Sequence, residues 1–398
     1  MPGWTRETGG ASIAWSTGEA RRYVAAATLE AELGLIEYMR ILYAGMKYDY
    51  GFPVRGYSFE HWNFYDSLMH MGHEVTYFDF KSLYNELGRE AMNDRLWQVV
   101  REEAPELLFC VLFEEELDKD VVRRISRETD TLTLNWFCDD HWRFESFTRH
   151  WAENFNWVVT TASSAVPKYA AMGYKNVIKS QWGLNHFLYR RFEIPLRYGV
   201  SFVGQPHGNR WAIIDGLRRA GVDVHTWGLG WESGRLEQDE MIRVFNQSRI
   251  NLNLSNASTS GARAERPMWL TRLRGNAGRV LIRNQLGRNL RTWTRDRARG
   301  RAGAAAYQDQ IKARNFEIPG CGGMQLTGRA EGLEAYFEPG KEIVVFDSEA
   351  DLVEKARYYL AHEEARRAIA DAGHMRALRE HTYELRFTEI FRTIGAMR

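Results

Sequence analysis

VSFVGQPHGNRWAIIDGLRRAGVDVHTW, residues 200–227, decides the fold. Residues 200–203 are an apolar run that reads as a buried strand. The loop Gly204-Gln205-Pro206-His207-Gly208-Asn209-Arg210 follows, residues 211–220 have helical spacing that stops at Gly221, and 222–227 is a second strand. Strand, glycine-bearing loop, helix and strand open a parallel α/β sheet. The position of this unit makes it decisive, because it starts near the middle of a 398-residue chain that has already run through such an alternation once.

Upstream, strand-like segments at 40–44, 74–80, 107–112, 132–137, 157–161 and 176–180 alternate with helical ones at 58–71, 83–103, 118–128 and 165–172, and a connector spans 182–198. Downstream, a helix at 238–248 and a strand at 250–254 are followed, after an interruption, by strands at 324–327 and 342–346 and helices at 350–361, 364–380 and 383–393. Short apolar strands between amphipathic helices imply parallel sheets covered on both faces. The expected class is α/β, with two Rossmann-like domains facing across a cleft. The boundaries read as an N-terminal extension at 1–38, a first domain at 39–195, a second at 196–382 and a last helix at 383–398. The extension is polar and Gly-rich, and the α/β pattern starts at Met39, so a chain starting there is expected to fold.

Composition limits the function classes. Lys and Arg total 53 against 52 Asp and Glu, so a general nucleic-acid binder is not expected. Three cysteines without CxxC spacing suit a reduced, cytoplasmic protein rather than a disulfide scaffold. No run of 18 apolar residues suggests a transmembrane helix. The interruption is a local exception: residues 263–301 hold twelve arginines and only Glu265 and Asp296 as acids. Leu286, Leu290 and Trp293 there have helical spacing. Two readings stand for this insertion. One is a helical flap beside the cleft that recruits an anionic acceptor, lipid-linked or polymeric, peripherally to a membrane. The other is a helical excursion that packs on its own domain.

Three segments carry candidate chemistry. In the 204–210 loop, Gly204 and Gly208 let the backbone approach a ligand, His207 lies between them as a further candidate contact, a helix N-terminus offers N–H groups, and Arg210 adds a fork for phosphate; a plain tight turn is the alternative. In DQIKARNFEIPGCGGMQLT, Asp309 and Glu317 are spaced by seven residues, Lys312 and Arg314 bring charge, and Gly322 and Gly323 offer backbone donors. A diphosphate needs cations and free N–H groups, and a ribose needs a carboxylate. In NWFCDDHWRFE, just past a strand end, Asp139, Asp140 and His141 suit contacts to an acceptor hydroxyl; an N-capping Asp pair with a packed His is the alternative. No second cluster accompanies them at metal-ligand spacing, so no metal is expected.

KARNFEIPGCGGMQLT, then FEPGKEI at 337–343, then Asp351-Leu352 and YYLAH at 358–362 resemble the spore-maturation protein CgeB family, which is similar to glycosyltransferase family 4 of the GT-B enzymes. NWFCDDHWRFE and VVTTASSAVPKYAAMGYKNV resemble the N-terminal domain usually paired with it. The resemblance implies a transferase acting on a nucleotide-sugar donor, with retention of configuration and no cofactor or metal. It implies a diphosphate held near Gly204, His207, Arg210, Lys312, Gly322 and Gly323, and a ribose contact from Glu317. Asp309 stands where the family's first Glu touches the donor sugar, which shortens the reach. A catalytically silent nucleotide-sugar binder and a polyanion binder acting through 263–301 are the rival functions.

Overall fold

The computed structural model describes residues 38–206, 208–255 and 309–397. Residues 1–37 of the extension, His207 and the Arg-rich stretch 263–301 lie outside the described residues.

Two all-parallel sheets form. The first contains β1 (Arg40–Gly45), β2 (Glu74–Asp79), β3 (Leu107–Cys110), β4 (Leu132–Phe137), β5 (Trp157–Thr160) and β6 (Val177–Lys179), in the order β2-β1-β3-β4-β5-β6. The second contains β7 (Tyr198–Val203), β8 (Val224–Trp227), β9 (Ser248–Asn253), β10 (Gln325–Gly328) and β11 (Val344–Phe346), in the order β11-β10-β9-β7-β8. Central strands such as β3 are buried along their whole length, which explains why they read as continuous apolar runs.

Helices cover both faces of each sheet. In the first domain, α1 (Asp66–His70) follows a π-helical turn at His61–Tyr65. The single helix expected at 83–103 is two, α2 (Phe80–Leu87) and α3 (Arg89–Glu103), because Gly88 between them takes φ +85°. α4 (Lys119–Glu128) starts at Asp118, whose carboxylate accepts from the Asp120 amide at 3.0 Å. A short α5 (Asp140–Arg143) and α6 (Val166–Ala171) complete the domain. In the second, α7 (Arg210–Arg219), α8 (Gln238–Gln247), α9 (Arg314–Gly320), α10 (Glu349–Ala361) and α11 (Glu363–Glu380) flank the sheet.

The last helix, α12 (Tyr383–Thr393), belongs by packing to the first domain. Its Tyr383, Phe387, Ile390 and Phe391 are buried with Ile41, Phe64, Leu68, Phe109 and Trp136. The chain therefore crosses between domains twice, at 182–197 and near 382, and the crossings touch. The Leu184 amide donates to the His381 carbonyl at 2.8 Å, and the Tyr383 amide to the Leu184 carbonyl at 3.0 Å. Gly183 allows this approach, since a Cβ there would lie 3.1 Å from the Tyr383 nitrogen. Gly320 of α9 presses on the same place: its Cβ would fall 2.2 Å from Leu184 Cδ1.

Candidate functional site

Strand order locates the crevices. α1, after β1, packs on the face that holds Phe64 and Phe387, whereas α4, after β3, packs on the opposite face with Val122 and Ile125. The connections diverge between β1 and β3, and open α/β sheets bind ligands outside the strand ends at such a point. The second sheet repeats the arrangement between β7 and β9, with α7 on one face and α8 and α9 on the other. The β1/β3 crevice opens into a cavity of about 280 Å³. Met46, Val111, Leu112, Cys138 and Asp139 line it from the first domain, and Gln310, Lys312 and Ala313 line it from the second, so the cavity lies between the domains.

Lys312 is the second domain's charged contribution. Its ammonium makes no hydrogen bond or ion pair among the described residues, while its amide donates to Asn315 Oδ1 at 2.9 Å and fixes the turn into α9. Burial pushes the Lys312 amine down to about 8, against the pull of Asp139; Arg210 lowers it further and Asp309 opposes. Asp309 is raised by burial, opposed by a bond from Ser255 and by the charges of Lys312 and Arg210. Arg210, Asp309, Lys312, Asp139 and His141 thus share one electrostatic neighbourhood across the cleft.

The other sequence candidates have different tasks. The Arg210 guanidinium donates to the Gln205 carbonyl at 2.9 Å and the Leu254 carbonyl at 2.8 Å. The fork expected to meet phosphate instead ties the β7 loop to the end of β9, at the second switch point, and burial lowers its pKa to about 10. The Gly204 amide donates to the Trp227 carbonyl at 2.8 Å, and its own carbonyl accepts from Trp231 Nε1 at 2.8 Å, so it presents no free donor.

Gly322 and Gly323 are a correction of the same kind. Gly322 takes φ +70° and donates to the Pro319 carbonyl at 2.8 Å, and Gly323 donates to the Ile318 carbonyl at 3.1 Å. This pattern is a Schellman cap on α9. Gly323 also lets β10 pass close, since a Cβ there would lie 2.5 Å from Asn251 Nδ2. Glu317 was expected to face the cleft, but it is 0% exposed. Its carboxylate accepts from the Tyr189 hydroxyl at 2.7 Å and pairs with Arg314, whose other terminal nitrogen lies 3.0 Å from Met241 Sδ. Arg314 is therefore engaged inside the protein by Glu317 and Met241.

Of the paired aspartates, the structure brings Asp139 to the cavity and not Asp140. Asp140 is 1% exposed and accepts from the Thr148 hydroxyl at 2.6 Å and the Tyr169 hydroxyl at 2.8 Å, which anchors the loop after β4 to α6. Asp140→Ala is expected to cost about 2–4 kcal/mol, the sum of about 1–2 for each of the two orphaned hydroxyls. Denaturant unfolding measures this, and a loss under about 0.5 kcal/mol, the scale of a surface substitution, would contradict the anchoring role. His141 is neutral at physiological pH, because burial lowers its pKa to about 4; Asp139 opposes this, and the charges of Lys312 and Lys179 add to it. Its Nδ1 is buried without a partner among the described residues.

Sequence reasoning missed Glu60. It lines the same cavity, and burial raises its carboxyl to about 6, with the charges of Asp49 and Asp139 adding to the rise against bonds from its own amide and Ser58. Its only local signal is the π-helical turn that begins at the next residue, a rare form found often at functional sites.

Comparison with known proteins bears on the fold. Residues 283–392 match a family model described as glycosyl transferase-like. No curated protein matches the sequence. Among solved structures, a glycosyltransferase from Rickettsia africae superposes with a TM-score of 0.56 at 8% identity, covering 91% of this chain and 100% of that one. HepE from Anabaena, crystallised with UDP and glucose, gives 0.55 at 12% identity over 90% and 100% of the two chains. A sucrose-phosphate synthase from Thermosynechococcus elongatus gives 0.54 at 10% identity over 89% and 99%. The chain is accordingly a two-domain protein of the GT-B fold whose residues 283–392 carry a glycosyl transferase-like segment.

Proposed function

We propose that the protein moves a sugar from a nucleoside-diphosphate donor, bound by the second domain, to an acceptor hydroxyl held against the first. The observation that carries this reading is the Lys312 ammonium, unpaired among the described residues, which borders with Asp139 a cavity between two domains of the GT-B fold. A leaving diphosphate gains negative charge as the glycosidic bond breaks. A fixed cation in a water-poor site stabilises that charge most where it develops. Arg210 acts behind Lys312 by holding the β7 and β9 loops together. Asp309, beside both cations, is the carboxylate we place on the donor sugar. HepE was crystallised with UDP-glucose, which supports a uridine donor as the first to try.

The narrower kinship with the CgeB family rests on the motif residues, as do retention of configuration and independence from added metal. Three free cysteines support a reducing, cytoplasmic setting, and no helix among the described residues is long and apolar enough to cross a membrane. A thermal-shift series with UDP-glucose, UDP-N-acetylglucosamine and GDP-mannose tests the donor site, since a ligand at 100 times its Kd stabilises by about 2.7 kcal/mol. One of the three is expected to raise the melting point in the presence of EDTA. No shift with any of them would refute the reading. A shift without turnover would favour the silent binder.

A further inference from the structure

The cavity's lining specifies its occupant more narrowly than "an acceptor". Its walls are mostly apolar and aromatic: Tyr50, Phe59, Phe113, Phe137, Phe147 and Trp182 all border it. Six aromatic side chains make this wall better suited to a ring or apolar body than to an extended sugar chain. The polar groups that face the space are Glu60, Asp139, Arg143, Thr148, Gln310 and Lys312, and two of their acceptors stand out. The Asp139 carboxylate makes no hydrogen bond or ion pair among the described residues. Gln310 is 7% exposed, and its side-chain oxygen is buried without a partner among the described residues. Glu60 adds a third acceptor. An unpartnered buried oxygen costs free energy until a donor reaches it, and the carboxylates of Glu60 and Asp139 are matched in number by the cations of Arg143 and Lys312, so the lining offers no excess charge to a charged ligand. About 280 Å³ lies at the lower end of small-molecule pockets, roughly the room for one or two rings. The wall is also held under strain, since Tyr50 takes φ +52°, unusual for a residue with a side chain.

Taking the glycosyl-transfer reading as its basis, we infer that this cavity holds the acceptor, that the acceptor is a compact uncharged compound with an aromatic or apolar body and a reactive hydroxyl, and that Glu60 receives the hydroxyl proton. The acceptor oxygen bonds to the sugar's anomeric carbon on the face from which the diphosphate leaves, so that configuration is retained, while the bond from that carbon to the diphosphate oxygen breaks. Its electron pair leaves with the nucleoside diphosphate, whose charge Lys312 offsets, and the acceptor's proton ends on the Glu60 carboxylate. A carboxyl raised to about 6 is ionised at neutral pH yet more basic than an exposed glutamate, as a general base requires. Asp139 and Gln310 orient the occupant's other donors.

The test uses the full chain with UDP-glucose, UDP-N-acetylglucosamine and GDP-mannose as donors. Its acceptors are 2-phenylethanol and 4-methylumbelliferone, set against methyl glucoside and maltose, with products read by mass spectrometry. Product is expected from the two apolar alcohols only. Glu60→Gln is expected to slow that transfer by about 100-fold or more, to leave donor affinity by calorimetry within about twofold, and to remove the acid limb of kcat/KM near pH 6. Phe113→Ser, at the rim, is expected to raise KM for the apolar alcohols without changing donor affinity, which keeps the inference testable if the Glu60 variant folds poorly. Preference for the sugars, no transfer to any of the four with donor bound, or wild-type transfer by Glu60→Gln would each overturn the inference. Failure of all three donors to bind would instead overturn the glycosyl-transfer reading beneath it.

Discussion

Replacing Lys312 with alanine is expected to lower kcat/KM for sugar transfer by about 10²–10³-fold, the scale of losing one group that meets developing charge. Two of the described cations of the second domain are already engaged within the protein. Arg210 is committed to two backbone carbonyls and Arg314 to Glu317. The same amine sets a pH dependence with a definite sign. Burial holds it at about 8, so the cation that the donor needs is present below that pH and lost above it. Because kcat/KM reports ionisations of the free enzyme, it is expected to fall through an alkaline limb centred near 8. The limb in kcat should lie higher, since a bound diphosphate holds the proton. Lys312→Arg keeps its charge throughout, so whatever activity it retains should show no such limb. Steady-state rates from about pH 6 to about pH 10, about two units either side of that midpoint, are the check. An alanine variant with wild-type kcat/KM would remove Lys312 from the mechanism.

Glu317→Ala is expected to damage the fold rather than the donor site. The carboxylate is wholly enclosed, and its removal strands both the Arg314 guanidinium and the Tyr189 hydroxyl. Breaking a buried pair by deleting one partner costs about 3–5 kcal/mol, because the remaining charge stays desolvated. At about 2–4 °C per kcal/mol for a domain of this size, the apparent Tm should drop by about 10 °C. Glu317→Gln retains the acceptor for Tyr189 but not the charge for Arg314, so it should fall between wild type and alanine. Calorimetry on the folded protein below its transition should find donor affinity changed by less than about threefold, a difference of about 0.65 kcal/mol. An unaltered Tm together with a tenfold loss of affinity would restore the ribose contact that the motif spacing suggests.

Both expectations depend on reading α9 in its setting, because its sequence supports two structures equally well. Lys312, Arg314, Glu317, Gly322 and Gly323 have the chemistry of a diphosphate and ribose site, and the chain does contain a glycosyl transferase-like segment there. Only Lys312 of these five faces the interdomain cavity. Two glycines after a helix supply free N–H groups or a Schellman cap, and the packing of α9 against β9 and β10 selects the cap.

The alternation of strands and helices, its restart at Val200 and the return to a final helix were legible in the sequence, because each is written within a few residues by apolar periodicity, caps and glycines. Asp118 and Gly88 show how local those signals are. Strand order is not written that way. The cavity exists because β1 lies between β2 and β3, so that Glu60, Asp139 and Lys312, each about 80 residues or more from the next in the chain, border one space. Which of two adjacent aspartates faces it depends on where the backbone turns after β4. Asp140 is drawn inward by Thr148 and Tyr169, two residues far from it in sequence pattern but near in space, and Asp139 is left to the cleft. Local pattern specifies elements because neighbouring residues share a backbone, whereas the partner of a charged side chain is chosen by packing that brings distant segments together and removes the water between them.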